Sequence, residues 1–135
     1  MRGRQQEAAG PVAAPPPALC LPRALRLSPR CYRAVFDGGR SLAGRLLVLW
    51  VLNRGSADAG GVGTVASKRT LPLAVARNRA RRLMRESYRL NRHNLKSGVD
   101  MVLVARARIR GAACAAVAED FRRLCRQAGV WRDAP

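Results

Sequence analysis

The 135-residue sequence predicts an α+β fold, with helices packed on a short sheet in the order αββαβα. Three observations lead there. Residues 46–52 are an unbroken apolar run of strand length. Residues 99–105 repeat that pattern after a turn at Ser97-Gly98. Two segments, 72–91 and 113–128, instead place apolar residues at three- and four-residue steps, the period of an amphipathic helix.

Each element has a local cause. The first helix starts at Ser28-Pro29, because serine suits the N-cap and proline the first helical position. It carries Cys31, Tyr32, Val35 and Phe36 and stops at Asp37-Gly38-Gly39, where glycine permits a left-handed stop. Residues 45–52 form a strand covered on both faces. Residues 53–61 are a polar, glycine-rich loop, and 62–67 form a strand weakened by Gly63. The second helix opens at Pro72, with Thr70 as its cap candidate, and reaches about Asn91. Val117, Phe121, Leu124 and Ala128 mark the buried stripe of a third helix. Residues 1–24 read as a disordered, Pro- and Ala-rich tail outside the fold, 25–129 as one domain, and 130–135 as a flexible end.

Composition narrows the function. Hydrophobic residues make up 48% of the chain, enough for a core without metal or disulfide staples. Against eight acids stand 26 lysines and arginines, only two of them lysine, for a net charge of +18. Such an excess opposes compaction unless a polyanion neutralises it. The four cysteines form no CxxC pair and the single histidine, His93, reads as a surface residue, so no metal site is expected. Cys31, Cys114 and Cys125 sit among apolar neighbours and read as reduced core residues. No apolar run reaches membrane-span length and no compact signal segment opens the chain, so the expected location is the cytoplasm.

The second helix carries the functional signal. Residues 76–92 hold seven arginines and one glutamate. On a helical wheel Leu73, Ala76, Ala80, Leu83, Met84 and Ser87 share one face, whereas Arg77, Arg81, Arg85 and Arg89 form a row at i, i+4 spacing. Asn78, Arg82 and Arg92 extend the polar arc. A solvated helix face mixes charge signs, because like charges at that spacing repel by a few tenths of a kcal/mol per pair. Phosphates reverse the sign of that repulsion through counterion release. Strands flank this helix on both sides, no helix-turn-helix or zinc-finger spacing is present, and structured RNA suits the arrangement better than DNA. Tyr32, Phe36 and Trp50 are either core residues or the floor of a cleft where a single strand stacks. Arg106, Arg108 and Arg110 alternate as a strand end would, a weak sign of further phosphate contacts. The scattered acids, and Ser67 beside Lys68, make no catalytic constellation. From the residues alone the reading stops at a compact RNA-binding module.

The segment Arg77-Asn78-Arg79-Ala80-Arg81-Arg82-Leu83-Met84-Arg85-Glu86-Ser87-Tyr88-Arg89 resembles the RNR motif of the bacterial ribonuclease P protein subunit. The segments Val65-Ala66-Ser67-Lys68-Arg69, Arg30-Cys31-Tyr32-Arg33-Ala34-Val35-Phe36 and Val99-Asp100-Met101-Val102-Leu103-Val104-Ala105-Arg106 resemble other parts of that family, in the same order. The resemblance implies an αβββαβα two-layer sandwich, with one more short strand near residues 41–43 and a left-handed βαβ crossover that departs from the usual right-handed rule. It implies a ribonucleoprotein that removes the 5′ leader of precursor tRNA, with the chemistry in a catalytic RNA served by Mg2+ and no catalytic residue in this chain. It implies that Lys68, Arg69, Arg77, Asn78, Arg79, Arg81, Arg82, Arg85 and Arg89 face the catalytic RNA, and that Tyr32, Phe36 and Trp50 line the cleft for the leader. The alternative is a structural RNA-binding protein such as a ribosomal component.

Overall fold

A computed structural model of the chain describes residues 26–55 and 60–132. The expectation for residues 1–24 lies outside the described residues, as do Cys20 and part of the 53–61 loop. The element order is α1 (Pro29–Gly38), β1 (Arg40–Ala43), β2 (Leu47–Asn53), β3 (Val62–Val65), α2 (Ala74–Asn91), β4 (Val99–Ala105) and α3 (Cys114–Ala128), with 3-10 turns at Arg92–Asn94 and Ala107–Ile109. This is αβββαβα, including the additional short strand.

The four strands form one sheet in the order β1-β2-β4-β3. The β1–β2 and β2–β4 pairs are antiparallel, while β3 lies parallel to β4, so α2 is the crossover between parallel neighbours. Alternation along β2 and β4 sends Leu47, Leu49, Val51, Met101 and Leu103 to the face covered by α2 and α3. There they meet Met84, Val117, Phe121 and Leu124, all essentially inaccessible to water. Tyr88 and Phe121 meet edge to face at 6.4 Å between ring centroids. Cys125 lies in this core, where burial pushes its thiol pKa up to about 12 and keeps it an inert apolar residue. Cys114 is exposed at the start of α3, contrary to the core reading, and Cys31 is half-buried. Helix α1 packs on β2 and β4 through the fully buried Val35 and through Phe36 against Trp50.

Several local expectations need correcting. Strand β2 begins at Leu47, because the Arg45 and Leu46 amides turn away to donate to the Asp120 carboxylate. The left-handed stop predicted after α1 is absent: Gly39 is extended (φ −93°, ψ 179°). It must be glycine for space, since a Cβ there would lie 2.4 Å from the Val51 carbonyl oxygen. Thr70 does not cap α2; Leu73 occupies the N-cap with no side-chain bond. The buried stripe of α2 is Ala80, Met84, Ser87, Tyr88 and Asn91, rotated from the predicted one, with Leu73 57% exposed. Val130 to Arg132 belong to the fold: Val130 is buried and accepts from the Lys96 amide, Trp131 bridges to Leu95, and the Arg132 amide donates to Asn94. The expected tail at 130–135 therefore starts too early. Helix α3 ends at Ala128, as predicted, and is capped by a left-handed glycine, Gly129 (φ 76°), which lets Val130 fold back to the Cys125 carbonyl.

Candidate nucleic-acid interface

The candidate interface is built around the outer edge of β3. After that strand the chain turns through Ser67–Thr70, where the Ser67 hydroxyl accepts from the Thr70 amide at 3.1 Å and the Leu71 amide donates to the Ser67 carbonyl. This turn presents Lys68 and Arg69 to solvent. Proline at 72 and the extended Leu73 then launch α2 along the sheet.

The arginines of α2 divide into two groups. Arg77 folds back and donates to the Leu71 and Pro72 carbonyls at 2.9 and 2.7 Å, sealing the entry to the helix. Arg79 donates to the Ala112 carbonyl at 2.7 Å and ties α2 to the segment before α3. Arg89 makes a two-pronged bond with Glu86 through Nε and Nη2. Its hydrogen bond holds the Glu86 carboxyl below the usual range, and the carboxylate in turn raises the Arg89 pKa. These three guanidinium groups already have partners within the protein.

Arg81, Arg82 and Arg85 form the other group. Arg81 donates to the exposed Asn78 amide oxygen at 2.7 Å and lies 3.4 Å from the Ala66 carbonyl. Arg82 is fully on the surface. Arg85 reaches Thr64 Oγ1 at 3.4 Å. Burial lowers the Arg85 pKa, and the positive charges of Arg26, Arg81 and Arg82 lower it further, against an opposing effect from Tyr32. That set of neighbours locates a cationic cluster with no carboxylate in it among the described residues. Arg26 is a member that sequence reasoning missed. It arrives through a parallel bridge to Val62, a long-range pairing with no local signature.

The aromatic residues lie beside this cluster. Phe36 and Trp50 meet edge to face, with centroids 5.1 Å apart and planes at 80°. Phe36 is 38% exposed and Trp50 half-buried, so the pair is a surface feature rather than core. Tyr32 lies against Gly63, where a Cβ would stand 2.3 Å from the ring, so the glycine is the slot that admits the tyrosine. The Tyr32 hydroxyl accepts from the Thr64 amide at 3.0 Å. Thr64 therefore touches the aromatic surface through its amide and the arginine cluster through its hydroxyl.

The predicted row Arg106, Arg108, Arg110 does not form. Strand β4 ends at Ala105, a 3-10 turn follows, and Arg106 donates to the Gly44 carbonyl at 2.7 Å. His93 is exposed, as expected, and its ring nitrogen lies 3.2 Å from the Asn94 amide nitrogen. Among the described residues no group of three His, Cys, Asp or Glu side chains could hold a metal ion, and no helix is long and apolar enough to cross a membrane.

Comparison with known proteins agrees with this geometry. The family model described as Ribonuclease P matches residues 21–129. A ribonuclease P protein component from Clostridium acetobutylicum is 38% identical over 100 residues, covering 73% of this chain and 83% of that protein. One from Gluconacetobacter diazotrophicus is 40% identical over 110 residues, covering 80% and 94%. Among solved structures, the Staphylococcus aureus RNase P protein shares the fold with a TM-score of 0.70 at 23% identity, over 81% of this chain and 99% of that one. The Thermotoga maritima RNase P protein gives 0.66 at 25% identity, over 76% and 96%. The ribosomal alternative finds no support among these relatives. The chain belongs to the ribonuclease P protein family, the protein components of the endoribonuclease that removes the 5′ leader from precursor tRNA.

Proposed function

We propose that this chain binds the catalytic ribonuclease P RNA through Lys68, Arg69, Asn78, Arg81, Arg82 and Arg85, and carries the 5′ leader of precursor tRNA across Tyr32, Phe36 and Trp50. Arg77, Arg79 and Arg89 shape that surface by fixing the helix entry, the link to α3 and the local charge. The observation that carries this reading is Thr64, which joins the aromatic surface to the arginine cluster at one strand edge. A structured RNA lying on α2 and a single strand running over α1 and the sheet would meet there. Arginine forks bind phosphate oxygens in pairs, and exposed aromatic rings stack on bases without selecting sequence.

In this reading the protein supplies no catalytic group. It neutralises phosphates where the RNA folds tightly, stabilises the active RNA and holds the leader in place, broadening the range of substrates used. Mg2+ would supply metal assistance to attack on the phosphodiester, and in this reading the RNA holds it. The working compartment is the cytoplasm, where Cys31, Cys114 and Cys125 stay reduced. Reconstitution tests the proposal: the purified chain added to the catalytic RNA at low Mg2+ restores cleavage of precursor tRNA at the leader junction. Absence of stimulation at any protein concentration overturns it.

A further inference from the structure

A second concave surface, lined by none of Arg26, Arg81, Arg82 and Arg85, lies at the sheet end where the β1–β2 turn, the exit of β4 and α3 meet. Two cavities adjoin there and share Arg45 and Arg123. One, of about 410 Å³, is lined by Arg45, Arg106, Arg108 and Arg123 with Ala43 and Gly44. The other, of about 260 Å³, has Leu46, Ala112 and Ala116 as its apolar lining and Glu119 at its border.

The two acids in this region, Asp120 and Glu119, do not cancel the charge, since Glu119 is paired with Arg122, which lines neither cavity. Asp120 is 5% exposed, and its carboxylate accepts from the Leu46 amide at 2.9 Å, the Arg45 amide at 3.3 Å and the Arg123 guanidinium at 2.7 Å. Burial acts to raise its pKa, but those three donors outweigh burial and hold it below the usual carboxylate range. Asp120 is thus a fixed, ionised strut that balances one arginine. Arg106 is held in place by the Gly44 carbonyl, a neutral partner. Arg45 and Arg108 are exposed and make no side-chain hydrogen bond or ion pair among the described residues. The pocket therefore retains several positive charges on a preorganised floor. Gly44 helps to form it, because a Cβ there would lie 2.5 Å from the Asp120 carboxylate.

We infer that this double cavity is a nucleotide site, with an RNA phosphate among Arg45, Arg106 and Arg108 and its unstacked base over Leu46, Ala112 and Ala116. This rests on the chain acting in an RNA-containing enzyme. The smaller cavity has room for one planar base, and it falls short of the roughly 300–1,000 Å³ that takes a drug-sized ligand. Glu119 borders this cavity and binds Arg122 through Oε1, which leaves Oε2 to accept from a base that carries an exocyclic amino group. The same chemistry could come from the catalytic RNA or from precursor tRNA, and two binding measurements separate them.

The test compares Arg45→Glu/Arg108→Glu and Ala116→Trp with wild type, after thermal melts establish folding. Arg81→Ala/Arg85→Ala serves as the control for the α2 face. The first measurement is affinity for the catalytic RNA across a salt series, and the second is affinity of the assembled holoenzyme for precursor tRNA. The charge reversal should flatten the log affinity against log salt slope by about 1 in one of the two, as expected for one lost phosphate. Ala116→Trp, which fills the base cavity from an exposed helix position, should weaken the same measurement severalfold with the slope unchanged. Loss in the first measurement assigns the site to the catalytic RNA, and loss in the second alone assigns it to the substrate. If Ala116→Trp alters neither, the nucleotide site is overturned. The same holds if the charge reversal alters neither while the α2 control still weakens binding. Wild-type protein that fails to assemble overturns the assigned function instead, and this inference with it.

Discussion

Replacing Arg81 and Arg85 with alanine should separate binding charge from fold stability. Lys68, Arg69, Arg81, Arg82 and Arg85 form no ion pair among the described residues, whereas Arg89, Arg122 and Arg123 do. If each of the five neutralises one phosphate, the slope of log affinity against log salt is about −4.5, and it falls to about −2.7 in the double variant. Between 50 and 200 mM salt the wild type should then lose about 500-fold in affinity for the catalytic RNA and the variant only about 40-fold. Stability should respond differently. The bonds to Ala66 and Thr64 are long, at 3.4 Å each, and the bond to Asn78 is exposed. Together they contribute on the order of 1 kcal/mol. Against that loss, removing Arg85 relieves repulsion from Arg26, Arg81 and Arg82. The melting temperature should therefore stay within about 5 °C of wild type. Fluorescence anisotropy at five or six salt concentrations measures the slope, and a thermal melt measures the fold. A full slope in the double variant refutes the choice of face, and a melting point lowered by more than about 10 °C shows these arginines to be structural.

Two further outcomes follow from single contacts. Gly63→Ala places a Cβ against the Tyr32 ring and should break the bond to the Thr64 amide; precursor tRNA binding should weaken while leaderless tRNA binds as before, and equal losses for both would remove Tyr32 from the leader path. Asp120→Asn turns amide hydrogens toward a site that faces three donors and should cost about 2 kcal/mol, read as a fall of roughly 10 °C in melting temperature. Because the folded-state pKa of Asp120 is lowered, its contribution is complete above the unfolded value near 3.9 and fades as pH falls through the lower folded value. The gap between wild type and Asp120→Asn should accordingly narrow in the acid range, and a gap constant down to pH 2 would contradict the ionised strut.

Much of the fold is legible because period and punctuation agree. Ser28-Pro29 starts α1, the stripe of Val117, Phe121, Leu124 and Ala128 becomes the buried face of α3, and the apolar runs become β2 and β4. The phase of α2 is not legible. A wheel weighs all apolar residues alike, but α3 and the sheet cover mainly the later turns of the helix, burying Tyr88 and Asn91 and leaving Leu73 and Val75 exposed. The site shows the same division. Its chemistry was readable as an unbalanced arginine face, yet the partners of each arginine were not. Arg77 and Arg79 are fixed by backbone carbonyls at Leu71, Pro72 and Ala112, positions with no distinguishing side chain. Gly63 reads in sequence as a weak point in a strand, while in three dimensions it makes room for Tyr32.

The edge of β3 explains how so much like charge can be held in one place. An uncovered edge strand offers unpaired amides and carbonyls to any passing chain. Here the Leu27 amide donates to the Val62 carbonyl and the Tyr32 hydroxyl accepts from the Thr64 amide, so the edge is closed by the segment that also brings in Arg26 and α1. On its other side β3 is parallel to β4, and α2 must return across the sheet to connect them. That crossover sets the outward face of α2 beside the closed edge, with Ala80, Met84 and Tyr88 buried beneath it as the anchor. Repulsion among Arg26, Arg81, Arg82 and Arg85 is therefore opposed by core packing and strand pairing rather than by neighbouring acids. A carboxylate at the same place would stabilise the free protein, but it would also occupy the forks that phosphates need. Among the described residues, the absence of acids from this cluster and their presence at Arg89 and Arg123 thus distinguish the arginines proposed to bind RNA from those paired within the protein.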